Sequence, residues 1–86
     1  MKHIIQRKVT KIIKGELPPH TVFPRNAVDV PIHMLGVDSL SFLSIIIALE
    51  DEFHIHFPEE KMTMAQMKTI RILCITILEL INEQGD

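Results

Sequence analysis

The chain of 86 residues contains no tryptophan, no tyrosine, one cysteine and three glycines. A single cysteine excludes an internal disulfide, so nothing in the sequence requires an oxidising compartment. Without tryptophan or tyrosine, stacking on nucleic-acid bases would depend on the four phenylalanines, which fall at predicted core positions. The net charge of −2 also lacks the basic surplus of a nucleic-acid-binding domain. These absences argue against a disulfide scaffold and against a nucleic-acid partner.

Long apolar runs are missing as well. The N-terminus has no continuous apolar stretch of the kind found in signal peptides. The most apolar region, residues 70–81, is too short to span a bilayer and contains Arg71 and Glu79. Hydrophobic residues make up 47% of the chain and charged residues 23%, as in globular proteins. We therefore expect one cytoplasmic domain over residues 1–86, with no membrane span.

Apolar periodicity predicts a first helix over residues 3–14. Its apolar side chains form one face, which consists of Ile5, Val9, Ile12 and Ile13. Gly15 follows as a candidate stop signal. The opposite face carries four cations, Lys2, Arg7, Lys8 and Lys11. This pattern is more typical of a solvated surface than of a site for an anionic partner.

A long connection over residues 16–38 follows, and its four prolines forbid a continuous helix. We expect apolar side chains to hold this connection against the bundle: Val22, Phe23, Val28, Val30 and Ile32. Further on, Pro58 can occupy the first position of a short helix. The last helix has Thr63 or Thr69 as its N-cap, ends near residues 82–83, and has a core face of Ile70, Leu73, Ile77, Leu80 and Ile81.

Residues 53–58 alternate like a β-strand, but no partner strand is evident in the sequence. The expected fold is therefore all-α, a small antiparallel bundle of three main helices and one short helix.

The stretch Leu35–Leu40 places a glycine, an acid and a serine directly before a long apolar run. Gly36 permits backbone angles that a side chain would forbid. Asp38 or Ser39 can cap the first turn of a helix that runs to Phe53. The serine hydroxyl then lies at the positive end of a helix, where a negative group is favoured.

This central helix has two apolar faces. One is predicted to face the core and consists of Phe42, Ile45, Ile46, Leu49 and Phe53. The other consists of Leu40, Leu43 and Ile47, flanked by Ser44, Glu50 and Asp51. Because a domain this small has a poor surface-to-volume ratio, burial of both faces is difficult. The second face is predicted to meet a partner or to cover a ligand.

Catalytic and metal sites are not predicted. A nucleophilic serine needs a base that is oriented by a third group. His33 is near Ser39 in sequence but nothing orients it, and Asp38 is better used on backbone donors. His54 and His56 lack a third ligand at a suitable spacing, so no metal is expected.

The run Leu35-Gly36-Val37-Asp38-Ser39-Leu40 resembles the attachment motif of the acyl carrier proteins, and the likeness continues through residues 48–53 and 57–60. The resemblance implies that Ser39 carries 4′-phosphopantetheine, attached from coenzyme A by a phosphopantetheinyl transferase. Gly36, Asp38 and Leu40 would complete the attachment site. The thiol of the arm would hold an acyl group as a thioester, so the protein would be a carrier and not an enzyme.

The same resemblance implies partner enzymes, namely acyl ligases, synthases or transferases, and a monomeric carrier. Their docking surface would consist of Leu40, Leu43, Ser44, Ile47, Glu50 and Asp51. Fatty-acid carriers have acids just before L-G and soon after D-S-L, where this chain has Met34, Ser41 and Ser44. A specialised lipid or secondary pathway, such as a polyketide pathway, is therefore favoured over housekeeping fatty acid biosynthesis. The alternatives are an aminoacyl, peptidyl or D-alanyl carrier, and a bundle that only mediates protein contacts.

Overall fold

The computed structural model describes residues 2–84, and of residue 2 only the backbone. Three α-helices make up the fold: α1 (Lys2–Gly15), α2 (Ser39–Phe53) and α3 (Ile70–Gln84). Short 3-10 helices lie in the connections, at Ala27–Asp29, Ile32–Leu35 and Glu59–Lys61. Helix α1 packs against both α2 and α3, and residues 2–84 contain no β-strand. The predicted all-α bundle of three main helices is confirmed.

The core is formed by one apolar face of each main helix, as the periodicity predicted. The buried apolar side chains of the three helices are Ile5, Val9 and Ile13 of α1, Phe42, Ile45, Ile46 and Leu49 of α2, and Ile70, Leu73, Ile77 and Leu80 of α3. Three other predicted core residues are only partly buried at its margin: Ile12, Phe53 and Ile81. The opposite faces of α1 and α2 are therefore free of the core.

The connection between α1 and α2 is held by more anchors than the sequence indicated. Ile32 is buried and Phe23, Val28 and Val30 are partly buried, as predicted. Val22 is 88% exposed, so its predicted anchoring role is wrong. The larger neighbouring side chain, Phe23, takes the partly buried position, where it removes more apolar surface from water than Val22 would. Four buried anchors were not predicted: Leu17, Ala27, Leu35 and Val37.

Two polar contacts fix the connection to the segment around the start of α3. Arg71 donates from Nε to Asp29 Oδ1 at 2.6 Å and from a terminal nitrogen to Oδ2 at 3.0 Å. This bidentate pair lowers the pKa of the Asp29 carboxyl, chiefly through the hydrogen bonds from Arg71. The N–H of Ile32 donates to the carbonyl of Lys68 at 2.9 Å. The 3-10 helix directly before α2 is therefore held by the segment that leads into α3, and the preceding 3-10 helix is held by α3 itself.

Two helix boundaries differ from the predicted ones, at Gly15 and Pro58, and the choice of N-cap for α3, left open by the sequence, falls on Thr69. Gly15 is the last residue of α1 and does not adopt the left-handed conformation of a glycine cap. Pro58 precedes the short helix, which has 3-10 geometry, instead of occupying its first position. Thr69 is the N-cap of α3, and its Oγ1 accepts the N–H of Ile72 at 3.1 Å. Thr63 caps a separate turn by accepting the N–H of Gln66 at 3.1 Å.

Helix α3 continues to Gln84, beyond the predicted end at residues 82–83. The side-chain amide of Gln84 accepts the N–H of His56 and donates to its carbonyl, both at 2.9 Å. These two hydrogen bonds join the last turn of α3 to residues 53–58, which alternate like a β-strand in sequence. The backbone of His56 thus pairs with a side chain and not with a second strand. Within the part of the chain that the structure describes, no helix is both long and apolar enough to cross a bilayer.

Candidate functional site

The backbone turns sharply just before α2, between two buried side chains, Leu35 and Val37. Gly36 has φ of 108°, a left-handed conformation that residues with a side chain rarely adopt. A Cβ atom added there would lie 3.6 Å from Leu17 Cδ2, an ordinary contact distance. A side chain would therefore fit at this position, and it is the backbone angle that requires glycine, as predicted.

A closed set of hydrogen bonds caps the start of α2. Asp38 is the N-cap residue, and its Oδ1 accepts the backbone N–H of Ser41 at 2.9 Å and the Ser41 hydroxyl at 3.0 Å. In return, the Asp38 N–H donates to Ser41 Oγ at 2.9 Å. Of the two predicted candidates, Asp38 is thus the cap, and Ser39 is the first helical residue. The Ser39 hydroxyl is exposed and takes no part in this capping box.

The capping role of Ser41 was not predicted from the sequence. There, Ser41 was noted only because fatty-acid carriers have an acidic residue at this position. Its signal is the spacing Asp-x-x-Ser, a capping box in which serine takes the position usually held by glutamate or glutamine. The hydrogen bonds from the Ser41 backbone and hydroxyl hold the pKa of Asp38 below its ordinary value. Asp38 is therefore ionised at neutral pH and stays fixed on the first turn of α2.

This cap predicts a specific loss of stability in acid. Because the folded-state pKa of Asp38 lies below the unfolded value of 3.8, its contribution is present above that pH and is lost as pH falls through the folded pKa. Asparagine also caps helices but does not titrate. We expect Asp38→Asn to be less stable than the wild type near neutral pH, and the difference to shrink as the pH falls below 3.8 and through the lowered pKa of Asp38. Urea denaturation at several pH values measures this.

Asp38→Ala serves as the control, because it removes both the charge and the acceptor. It should destabilise the protein more than Asp38→Asn at every pH above the transition. A difference between wild type and Asp38→Asn that does not change with pH would contradict the account.

The outward face of α2 is exposed, as predicted. Leu40, Leu43 and Ile47 are 80%, 51% and 57% exposed. Met34, in the 3-10 helix that leads into α2, is a further large apolar side chain that is 69% exposed, and it was not among the predicted residues. We group it with the three of α2 because it directly precedes their helix. We call these four side chains the apolar stripe. The sequence contained a signal for the exposure of Met34, because Met34 takes the position directly before Leu35-Gly36 at which fatty-acid carriers have an acid.

The polar residues predicted beside the stripe differ in their environment. Ser44 and Asp51 are exposed. Glu50 is partly buried, and its Oε2 accepts the N–H of Phe57 at 2.8 Å. The carboxylate of Glu50 therefore also holds the connector after α2.

The geometry around Ser39 does not form a catalytic constellation. His33 is exposed in the 3-10 helix before α2, and no histidine is hydrogen-bonded to Ser39 anywhere in residues 2–84. A nucleophilic serine needs a base within hydrogen-bond distance. What the arrangement offers is an exposed hydroxyl on a fixed helix terminus.

Comparison with known proteins decides the family. Residues 7–82 match the family model described as phosphopantetheine attachment site. The chain belongs to this family of carrier proteins. It is similar to an acyl carrier protein homolog of Mycoplasma genitalium, with 33% identity over 83 residues that cover 96% of this chain and 95% of the relative. An acyl carrier protein homolog of Mycoplasma pneumoniae is 32% identical over 65 residues, covering 76% of this chain and 75% of the relative.

No solved structure is significantly similar to the chain. The family match confirms the predicted class: this is a phosphopantetheine carrier protein and not an enzyme, and 4′-phosphopantetheine is its cofactor. A carrier of this family works by interaction with enzymes.

Proposed function

We propose that the protein is an acyl carrier protein and that Ser39 is the residue to which 4′-phosphopantetheine is attached. The observation that carries this assignment is the exposed Ser39 hydroxyl on the first residue of α2, directly after the Asp38 cap. Because Asp38 and Ser41 complete the cap between them, modification of Ser39 leaves the helix start intact. Gly36 and Leu40 flank this position and complete the proposed attachment site.

The attachment step places few demands on the chain. The Ser39 oxygen forms a bond to the phosphorus of coenzyme A that bears pantetheine. The bond from that phosphorus to the bridging oxygen of the diphosphate breaks, which releases adenosine 3′,5′-bisphosphate. The hydroxyl proton passes to a base of the phosphopantetheinyl transferase, which also holds the magnesium ion. The resulting phosphodiester carries a negative charge beside the free backbone N–H groups of α2, where an anion is favoured.

The chemistry that the arm supplies is a terminal thiol, which holds an acyl group as a thioester. The only thiol of the chain itself, Cys74, lies partly buried on α3. Burial raises the pKa of the Cys74 thiol to about 11, so at neutral pH it is protonated and a poor nucleophile. Cys74 therefore does not compete for the acyl group.

Partner enzymes are proposed to dock on the apolar stripe, with Ser44, Glu50 and Asp51 at its rim. These partners are the transferase and the acyl ligases, synthases or transferases that load and use the carrier. Three positions that carry acids in fatty-acid carriers have uncharged residues here. Met34 is part of the stripe, Ser41 completes the capping box with Asp38, and Ser44 is exposed. Docking should thus depend more on apolar contact than on basic patches of the partner. This favours a specialised lipid or secondary pathway over housekeeping fatty acid biosynthesis. We propose further that the carrier is a monomer and works in the cytoplasm.

The test of the proposed function is covalent loading. The protein is incubated with coenzyme A, Mg²⁺ and a broad-specificity phosphopantetheinyl transferase, and its intact mass is measured. We expect the mass of one phosphopantetheine group per chain, and subsequent loading by acyl ligases but not by aminoacyl ligases. A chain that gains no mass would refute the carrier assignment, whereas preferential aminoacyl loading would refute only the acyl cargo.

We expect Leu43→Ala to reduce kcat/KM for loading by a partner enzyme about ten-fold, mainly through KM, because it removes an apolar contact at the centre of the stripe. Steady-state kinetics with the purified partner measures the effect. Ile75→Ala is the matched control, since Ile75 is 47% exposed on α3 and Leu43 is 51% exposed on α2. Equal effects of the two substitutions would show that the stripe has no special role.

A further inference from the structure

The outward face of α1 carries a row of cations. Arg7, Lys11 and Lys14 lie within about 60° of one another around the helix axis, opposite the buried Val9. Lys8 lies on the flank of this row and forms an ion pair with Glu52 of α2 at 3.0 Å. The segment of α1 contains no acidic residue at all. We call these four cations the basic face.

Two aromatic rings lie beside the basic face: Lys14 Nζ is 5.1 Å from the centroid of the Phe23 ring, and Lys8 Nζ is 5.9 Å from that of Phe53. No such contact is found for Arg7 or Lys11 within the described part of the chain. A shallow surface groove runs along the basic face, and every residue that lines this groove belongs to α1: His3, Gln6, Arg7, Thr10, Lys11 and Lys14. Acidic side chains lie at both edges of this face: Glu16 and Glu52 line a neighbouring groove on the side of α2, and Glu79 lines a cavity with Gln6 on the side of α3. Neither Arg7 nor Lys11 belongs to an ion pair found within residues 2–84.

The composition of this face indicates what it binds. Three of its four cations are lysines and it has no aromatic residue, whereas the buried centres of protein interfaces are depleted in lysine and enriched in aromatic side chains. Lysines spread along a helix suit a diffuse layer of phosphate groups instead. Ile4 is 52% exposed and lines a groove with Arg7, Lys8 and Lys11, so one apolar side chain stands among the cations. The apolar face of α1 is buried in the core, so attraction to an anionic surface rests on the cations, with the exposed Ile4 among them.

We propose that the basic face of α1 docks the protein on the surface of an anionic lipid bilayer, without insertion of a helix across it. The net charge of −2 means that the whole protein is not attracted to anions, so the attraction comes from the local row of cations. Each cation near the surface strengthens binding about five-fold, which makes the association weak, reversible and sensitive to salt. The basic face includes neither Ser39 nor the apolar stripe, so binding to a bilayer through this face leaves Ser39 and the stripe accessible.

The experiment uses the full-length unmodified protein and co-sedimentation with vesicles. The vesicles consist of phosphatidylcholine alone or of phosphatidylcholine mixed with phosphatidylglycerol. We expect binding only to the mixed vesicles at about 0.1 M salt, and release at about 1 M salt, where the Debye length falls from about 10 Å to about 3 Å. Arg7→Gln/Lys11→Gln removes two cations from the centre of the face and should lower the partition coefficient about 30-fold.

The matched control is Arg25→Gln/Lys68→Gln, which removes the same charge from two exposed cations outside α1. It should bind nearly as well as the wild type, and circular dichroism should show that both variants are folded. An equal loss in both variants would overturn the inference, as would equal binding to both vesicle types or no binding to either. Binding of polyglutamate without binding of anionic vesicles would overturn it in favour of an acidic protein surface. Because no modification of Ser39 is involved, these outcomes are independent of the carrier assignment.

Discussion

Leu49→Ala is expected to lower the free energy of unfolding by about 3 kcal/mol. Leu49 lies on the inward face of α2 and has no exposed surface. Truncation removes its buried methyl groups from the core and leaves a cavity that its neighbours fill only partly. The loss is a large part of the total stability of a small domain, which is about 5–15 kcal/mol. Urea denaturation should show a lower midpoint with an unchanged slope.

Leu43→Ala is the matched control, because it makes the same chemical change on the opposite face of the same helix. Leu43 is 51% exposed, so much less apolar surface is lost from the interior and the expected cost is below about 1 kcal/mol. Losses of equal size would mean that α2 is buried on both faces, which would contradict the assignment of the apolar stripe as a free surface.

The faces of the helices could be predicted from sequence because burial follows the helical period. Ile5, Val9 and Ile13 recur at intervals of four and are buried in α1. In α2 the helical period predicted two apolar faces. Because the domain is small, we expected only one of them to be buried. The exposure of Leu40 and Ile47 confirms that reasoning.

Contacts between residues far apart in the chain could not be predicted in this way. Asp29 and Arg71 form a bidentate pair across 42 positions, and the Gln84 side chain pairs with the His56 backbone across 28 positions. No local pattern encodes such pairs, because they depend on how the finished helices lie against one another. The orientation of Val22 depends likewise on the inward packing of its neighbour Phe23.

The candidate site was predicted better than the long connection because its signals are local. The left-handed conformation of Gly36 and the start of α2 follow from residues within six positions of one another. The sequence left open whether Asp38 or Ser39 caps the helix, since both side chains are good caps. The hydroxyl of Ser41 bonds to both the N–H and the carboxylate of Asp38, which favours Asp38.

Ser39→Ala is expected to abolish attachment of phosphopantetheine completely, because the variant lacks the oxygen that would form the phosphodiester. The stability of the protein should change by no more than about 0.5 kcal/mol, since Ser39 is exposed and lies outside the capping box. Denaturation of the variant, followed in parallel, shows that a missing modification is not caused by unfolding.

The chain offers two matched controls, since its other serines are Ser41 and Ser44. Ser41→Ala loses two hydrogen bonds of the cap and should be less stable, yet it retains the acceptor hydroxyl of Ser39. Ser44→Ala removes an exposed hydroxyl at the rim of the proposed docking surface. It should keep the stability of the wild type and should still be modified at Ser39 to completion, whatever its effect on the rate.

The most direct test of the carrier assignment is the intact mass of these variants after incubation with coenzyme A, Mg²⁺ and the transferase. The account predicts the mass of one phosphopantetheine group on the wild type, on Ser41→Ala and on Ser44→Ala, and none on Ser39→Ala. A phosphopantetheine group that persists on Ser39→Ala, or that is lost only from one of the other two variants, would contradict it.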